Sequence, residues 1–408
     1  MQNIPNHFKT PILQVIEESG SGHDVLAFSK SKNLNCEIDK YMKNKTLILS
    51  TGLAMFSMFF GSGNLVFPVL VGKISEGHYL LAAIGFLLTG VLVPFLGVLA
   101  MFLFEGDQKS FFSRLGKSAT FWFPLFALSL MGPFGVLARC ITVAHGAFKM
   151  VAPNLTLWLF SVISCSVIFI LTLYKNKIVS ILGSFLTPVL LISLTAITYY
   201  GLKGASLPTT AAIIEWNSFK QGLLQGYQTM DLLASFFFST FIIKHLQESQ
   251  TGLKQSIAVF MKSSLLGASL LSVIYVALVI LGAIYAPQLA GVPSQEMLNR
   301  IAILSLGSWA APILSTTVIL ACLTTAIVLT SLFADFTRKE ILKGQYGEST
   351  SLAITLIIAF FVSTLEFSGI MLVLSPILEY TYPALILLTV INIFHKWADH
   401  PQSLNRKL

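Results

Sequence analysis

The chain has 408 residues, 55% of them hydrophobic and only 11% charged, against roughly 25% charged in an ordinary soluble domain. With a mean hydropathy of +0.78 and 32 phenylalanines, its apolar content exceeds what one or two soluble cores can bury. A soluble enzyme, a disordered chain and a secreted disulfide scaffold are all excluded, and the net charge of +8 has meaning only once its location along the chain is known.

Residues 1–45 are polar and lack the apolar core and small-residue cleavage site of a secretory signal. They read as a cytoplasmic N-terminal extension, within which Met42, followed by Lys43 and Lys45, offers an alternative translation start. Ten apolar spans follow, at about 46–72, 79–104, 119–148, 155–174, 178–200, 219–244, 257–285, 309–336, 351–366 and 369–394. Continuous runs such as 155–173 predict helices, since barrel strands alternate and are only about 10 residues long. A moderately apolar stretch at 294–307 predicts a short helix outside the bilayer.

Basic residues accumulate in cytoplasmic loops. With the N-terminus inside, 20 of the 26 lysines and arginines fall on the cytoplasmic side, five fall outside, and Arg139 lies within the third span. Both termini are therefore expected in the cytoplasm, and the surplus of positive charge is a topological bias with no nucleic-acid partner. Cys36, Cys140, Cys165 and Cys322 are far apart, and the seven histidines are scattered without HExxH or similar pairing, so no metal-centred chemistry and no catalytic residues are expected.

Polar residues inside the spans carry the functional information. The first span contains Phe60, Gly61, Ser62, Gly63 and Asn64, and two glycines with a Ser and an Asn at mid-membrane weaken a helix there. A break near Gly61 exposes amides that favour a carboxylate and carbonyls that favour a cation; the alternative is a close helix crossing enabled by small residues. The sixth span repeats the pattern with Gly222, Gly226, Tyr227, Gln228, Thr229 and Asp231. An intramembrane acid such as Asp231 marks a functional site by default, or else sits at an interface or pairs with Arg139. Two blocks of five spans, each opening on an interrupted helix, imply an inverted repeat because five is odd.

In the third span Gly132 and Pro133 predict a kink before Arg139, whose partner is Asp231, Glu379 or a freed backbone carbonyl. Thr324 and Thr325, one turn after Ala321 in the eighth span, present hard oxygen atoms suited to sodium, although membrane threonines commonly bond back to their own helix. Ser375, Pro376, Glu379, Tyr382 and Pro383 suggest that the tenth span is also interrupted and polar, with a position near the surface as the alternative for Glu379.

Thr51-Gly-Leu-Ala-Met-Phe-Ser-Met-Phe-Phe-Gly-Ser-Gly-Asn-Leu-Val-Phe-Pro68 resembles the first helix of the branched-chain amino acid carriers (LIVCS family, BrnQ type). Gly85-Phe-Leu-Leu-Thr-Gly90, Gly132-Pro133 with Arg139, Gly226-Tyr-Gln-Thr-Met-Asp231 and Ala321-Cys-Leu-Thr-Thr-Ala326 agree in the same order. The resemblance spans about 46–394 and implies an all-α polytopic membrane protein of LeuT-type fold. Its repeats would occupy 46–200 and 201–394, with a tail at 395–408, in a bacterial cytoplasmic membrane. It implies sodium held by Ser57, Phe60, Ala321, Thr324 and Thr325. It further implies an amino acid bound at Gly61, Ser62, Gly63 and Asn64 and at Gly226, Tyr227 and Thr229, with Arg139 and Asp231 as coupling or structural charges. No obligate protein partner is implied beyond the lipid bilayer.

Three departures from the family pattern stand out. Ala138-Arg-Cys-Ile-Thr-Val143 replaces the usual Pro-Arg-Thr-Ala-Thr-Val, Gly146 stands about where an acid is common, and ten spans replace twelve. The function expected is sodium-coupled uptake of leucine, isoleucine, valine or a related neutral amino acid. The alternatives are a proton-coupled or differently specific permease, and a non-transporting sensor.

Overall fold

The computed structural model describes residues 44–173, 175–203, 205–206, 208, 214–249 and 253–399. Most of the predicted N-terminal extension, and the end of the tail, lie outside them. Among the described residues the regular structure is helical, and the segments follow the ten predicted spans in order.

Helix α1 (44–59) ends at Phe60 and Gly61, and α2 (Ser62–Ser75) continues the same span. Helix α3 (Tyr79–Leu87) runs through a π-helical turn at Leu88–Leu92 into α4 (Val93–Leu103). After the short α5 (Gln108–Phe112), α6 (Ala119–Met131) and α7 (Val136–Lys149) form the third span. Gly132 and Pro133 thus produce a full break over 132–135 where the sequence predicts a kink. Helices α8 (Leu157–Leu173) and α9 (Lys175–Leu202) close the first block.

The second block repeats the plan. Helices α10 (Glu215–Tyr227) and α11 (Asp231–Ser249) are the two halves of the sixth span, followed by α12 (Leu253–Ile284). The short α13 (Met297–Leu306) precedes α14 (Ala310–Phe336), α15 (Glu348–Ser363) and α16 (Glu366–Asp399). A short helix between the second and third spans of each block, α5 in one and α13 in the other, is a visible sign of the repeat. The tenth span corrects the expected interruption, since α16 keeps both Pro376 and Pro383 inside one helix, and Glu379 takes the surface position that is its alternative.

The outer surface is apolar. Ile192, Leu265, Phe361 and Leu372 are 64–79% exposed, a surface suited to lipid. Trp122, Trp158, Trp216 and Trp309 are also exposed and sit at or just before the first turns of α6, α8, α10 and α14, where an indole reaches the interfacial layer.

The two blocks hold each other through their broken helices. Helix α2 packs on α12, and α10 packs on α3. At the first crossing a Cβ on Gly282 would lie 2.1 Å from the Val69 carbonyl oxygen, and one on Gly72 would lie 1.9 Å from that of Val279. At the second, a Cβ on Gly222 would lie 2.0 Å from the Ala82 oxygen. Only glycine permits backbones to approach this closely. The third spans of the two blocks, α7 and α14, pack against one another beside this four-helix centre.

Candidate functional site

The breaks in the first and sixth spans meet at the middle of the bundle. A Cβ on Gly63 would stand 3.5 Å from the Thr229 Cα, and Ser62, Gly63, Asn64, Gln228, Thr229 and Asp231 are all buried. The first break occurs because Phe60 and Gly61 leave the helix: the Phe60 amide still reaches Phe56, but the Gly61 amide turns back to the Phe59 carbonyl at 3.0 Å. Helix α2 then restarts with Gly61 in an extended conformation, with no side-chain cap and no acid in its first turn. An uncapped helix N-terminus is a ready site for an anion.

The second break is held by its own side chains. Thr229 Oγ1 donates to the Gly226 carbonyl at 2.9 Å and accepts from the Asp231 amide at 3.4 Å. Met230, buried, has φ +60°, a left-handed conformation that is uncommon for a side chain of this kind and characteristic of strained functional turns. The π turn opposite also contributes: Thr89 Oγ1 donates to the Leu223 carbonyl at 2.9 Å, tying the turn to the C-terminal part of α10. Tyr227 packs its ring on Tyr382 at 4.9 Å.

Asn64 joins the two breaks. Its Nδ2 donates to Asp231 Oδ2 at 2.7 Å and to the Tyr275 hydroxyl. Tyr275 is itself enclosed by Phe60 and Phe86, at ring separations of 6.3 and 5.2 Å. The sequence does not point to Tyr275, since a tyrosine within a long apolar run gives no sign of the asparagine it meets.

Arg139 and Asp231 are the two buried formal charges among the described residues, and they do not pair. Of the partners considered for Arg139, the freed carbonyl is the one found: Nη1 donates to the Gln228 oxygen at 2.8 Å and to the Met371 sulfur at 3.7 Å. Its guanidinium also lies over the Phe67 ring, 5.4 Å from the centroid. The next residue, Cys140, meets Ser62 Oγ at 3.3 Å.

At the other side of the first break, Thr324 and Thr325 both donate to the Ala321 carbonyl, at 2.9 and 3.0 Å. Back-bonding is therefore present, yet each hydroxyl oxygen keeps lone pairs. Thr325 Oγ1 lies 3.7 Å from the position of a Cβ on Gly61, so a hard oxygen faces the end of the broken helix. These donors fit a small alkali cation. Gly146, the departure from the family acid, faces the turn before α13: a Cβ there would meet Gln295 Cγ at 2.9 Å and Glu296 Cγ at 3.3 Å. Glu296 in turn pairs with Lys149 at 3.8 Å.

Two five-helix blocks interlocked through discontinuous helices, with buried polar groups where the breaks meet, define a transporter of the broken-helix class. Residues 43–407 match the family described as branched-chain amino acid transport protein. The chain is 30% identical over 353 residues to the branched-chain amino acid permease BrnQ of Corynebacterium glutamicum, covering 86% of this chain and 81% of that one. It is 29% identical over 365 residues to BrnQ of Bacillus subtilis, covering 85% and 81%. Its fold is similar to that of Mhp1 in an inward-facing conformation, with a TM-score of 0.61 at 15% identity, covering 85% of this chain and 76% of that one. It is also similar to Mhp1 in a closed conformation with bromovinylhydantoin bound, with a TM-score of 0.56 at 14% identity, covering 81% and 74%. The chain belongs to the branched-chain amino acid transport protein family and is a multi-pass membrane transporter of LeuT-type fold, not an enzyme.

Proposed function

We propose that the protein imports leucine, isoleucine or valine across a bacterial cytoplasmic membrane by sodium symport, with both termini in the cytoplasm and the meeting point of the two breaks as the substrate site. The substrate class is that named for the family and for both BrnQ relatives. The observation that carries the site is the approach of Gly63 to Thr229, which brings the uncapped N-terminus of α2 against the unwound sixth span. The α-carboxylate would lie at the Ser62 and Gly63 amides, and the ammonium at carbonyls of the 226–229 segment. Thr324, Thr325 and the carbonyls near Ser57 and Phe60 would hold the sodium ion as cargo. Ion and amino acid would then order opposite ends of one break, so that each favours the state the other prefers.

In proteoliposomes, an inward sodium gradient is expected to drive accumulation of labelled leucine. Thr325→Ala should raise the sodium concentration for half-maximal uptake by about tenfold, on the order of the 1–2 kcal/mol of a lost oxygen ligand. Leucine uptake indifferent both to sodium and to this substitution would overturn the sodium reading. A second reading, proton coupling through Asp231, draws on the burial of that carboxylate against Asn64, apart from Arg139. It requires uptake that follows a pH gradient and disappears in Asp231→Asn.

A further inference from the structure

Arg139 is 1% exposed, and two of its three guanidinium nitrogens, Nε and Nη2, have no hydrogen-bond partner in the protein. Its contacts are a carbonyl, a thioether and the face of a phenyl ring. A carbonyl and a π face attract a cation weakly compared with a carboxylate. An arginine removed from water with no carboxylate in contact carries a large desolvation penalty. Pairing with Asp231 would have relieved it, but that carboxylate is turned to Asn64. The guanidinium is planar, forked and always charged, and two of its donor directions are left for a planar, bidentate anion.

The surroundings place that anion. Phe67, under the guanidinium, also has its ring edge 3.1 Å from where a Cβ on Gly63 would lie. Cys140, next in sequence to Arg139, touches Ser62. Gln228, which accepts from Arg139, precedes Thr229, against which Gly63 packs. Arg139 therefore borders the first turn of α2, whose amides are uncapped and whose first turn holds no acid. Two independent anion-seeking features, a buried guanidinium with unpaired donors and a helix N-terminus, converge on one place.

We infer that Arg139 is the charged anchor of the substrate carboxylate, forming a bidentate pair with it across the first turn of α2. This deepens the substrate reading above and rests on it. It also assigns the discrimination between a free amino acid and its carboxyl-blocked derivatives to this one side chain. The neutral, zwitterionic substrate would supply the counter-charge that the protein itself withholds from Arg139.

The test is a cycle between protein and ligand. Binding of L-leucine and of L-leucinamide is measured on the purified full chain at mildly acidic pH, where both carry the ammonium and only leucine carries the carboxylate. The wild-type protein should bind leucine at least about 30-fold more tightly, the lower end of what breaking a buried, hydrogen-bonded charge pair removes. In Arg139→Gln that ratio should collapse to within about threefold, through loss of leucine affinity alone, and Arg139→Lys should retain part of it. Equal loss of both ligands in Arg139→Gln would make the arginine structural and overturn the proposal. So would a wild-type protein that binds leucinamide as tightly as leucine, a comparison that stands even if the glutamine variant fails to fold. A wild-type protein that binds none of leucine, isoleucine and valine would instead overturn the substrate reading on which the proposal rests.

Discussion

Asn64 donates from the first turn of α2 to a carboxylate at the first turn of α11 and to a hydroxyl on α12, so three helices from both blocks depend on one amide group. Removing it leaves Asp231 buried without its donor from the first span, whereas removing the Tyr275 hydroxyl leaves the Asn64 to Asp231 bond in place. Hydrogen bonds to charged groups contribute about 1.5–3 kcal/mol and neutral ones about 1 kcal/mol. Asn64→Ala should therefore lower the unfolding temperature of the detergent-solubilised protein more than Tyr275→Phe does. In Asp231→Asn the Asn64→Ala penalty should shrink, because no buried charge is then stranded. Equal effects of the two single substitutions would count against this ordering. Much of the polar centre was legible: glycines, serine, asparagine and aspartate in apolar runs have few structural uses at membrane depth. Its pairings were not. A sequence shows that Arg139 needs a partner, but only the packed helices decide that the Gln228 carbonyl is nearer than Asp231.

Broken helices are weak by themselves, since each half has lost the continuity that supports its end, and here each is gripped along a helix of the opposite block. Gly282 and Gly72 let α2 and α12 touch backbone to backbone, and Gly85 and Gly222 do the same for α3 and α10. In an exposed helix interior, alanine in place of glycine stabilises by about 1 kcal/mol. At Gly282 the sign should reverse, because the new methyl would stand 2.1 Å from the Val69 oxygen and force the crossing apart. Gly282→Ala is expected to lower thermal stability and leucine uptake together, while Gly347→Ala, at the N-cap of α15 where a Cβ meets nothing within 4 Å, should lower stability only by the small cost of alanine at a cap and leave uptake nearly unchanged. A thermally silent Gly282→Ala would show that the crossing yields without penalty. The number and order of the helices were legible from runs of about 20 apolar residues, and so was the inverted arrangement. The crossings were not, because a glycine in a membrane helix looks the same whether it faces lipid or a neighbouring backbone. The tenth span shows the converse error. Two prolines predicted an interruption, yet α16 absorbs both, as helices supported by neighbours can in a membrane protein.

For the molecule as a whole, transport requires that the site communicate with one side at a time. Gly63, Asn64 and Asp231 are buried, and the Tyr275 ring whose hydroxyl meets Asn64 is flanked by those of Phe60 and Phe86. A cavity of about 400 Å³ instead opens between α5, α6, α11 and α14, with Lys109, Thr120, Leu128, Thr240 and Glu340 among its walls. Lys109 and Glu340 belong to the loops that the distribution of basic residues assigns to the cytoplasm. The cavity would then be the inner vestibule, and Leu128 is its wall residue on α6 nearest in sequence to the break after Met131. Thr240→Cys in this cavity should react with a membrane-impermeant thiol reagent in inside-out vesicles and far more slowly in right-side-out vesicles, measured above the labelling of the unsubstituted protein. If the two blocks rock about the meeting point of the breaks, sodium on the outer face should draw the population toward the opposite state and slow the reaction several-fold. A ligand can shift such an equilibrium only by its differential affinity for the two states. Thr325→Ala, which weakens the proposed sodium site without lining the cavity, should therefore move the slowing to about tenfold higher sodium while leaving the basal labelling rate intact. Slowing at an unchanged sodium concentration in Thr325→Ala would place the sodium effect elsewhere, and labelling that is equal from both faces would contradict a vestibule open to one side.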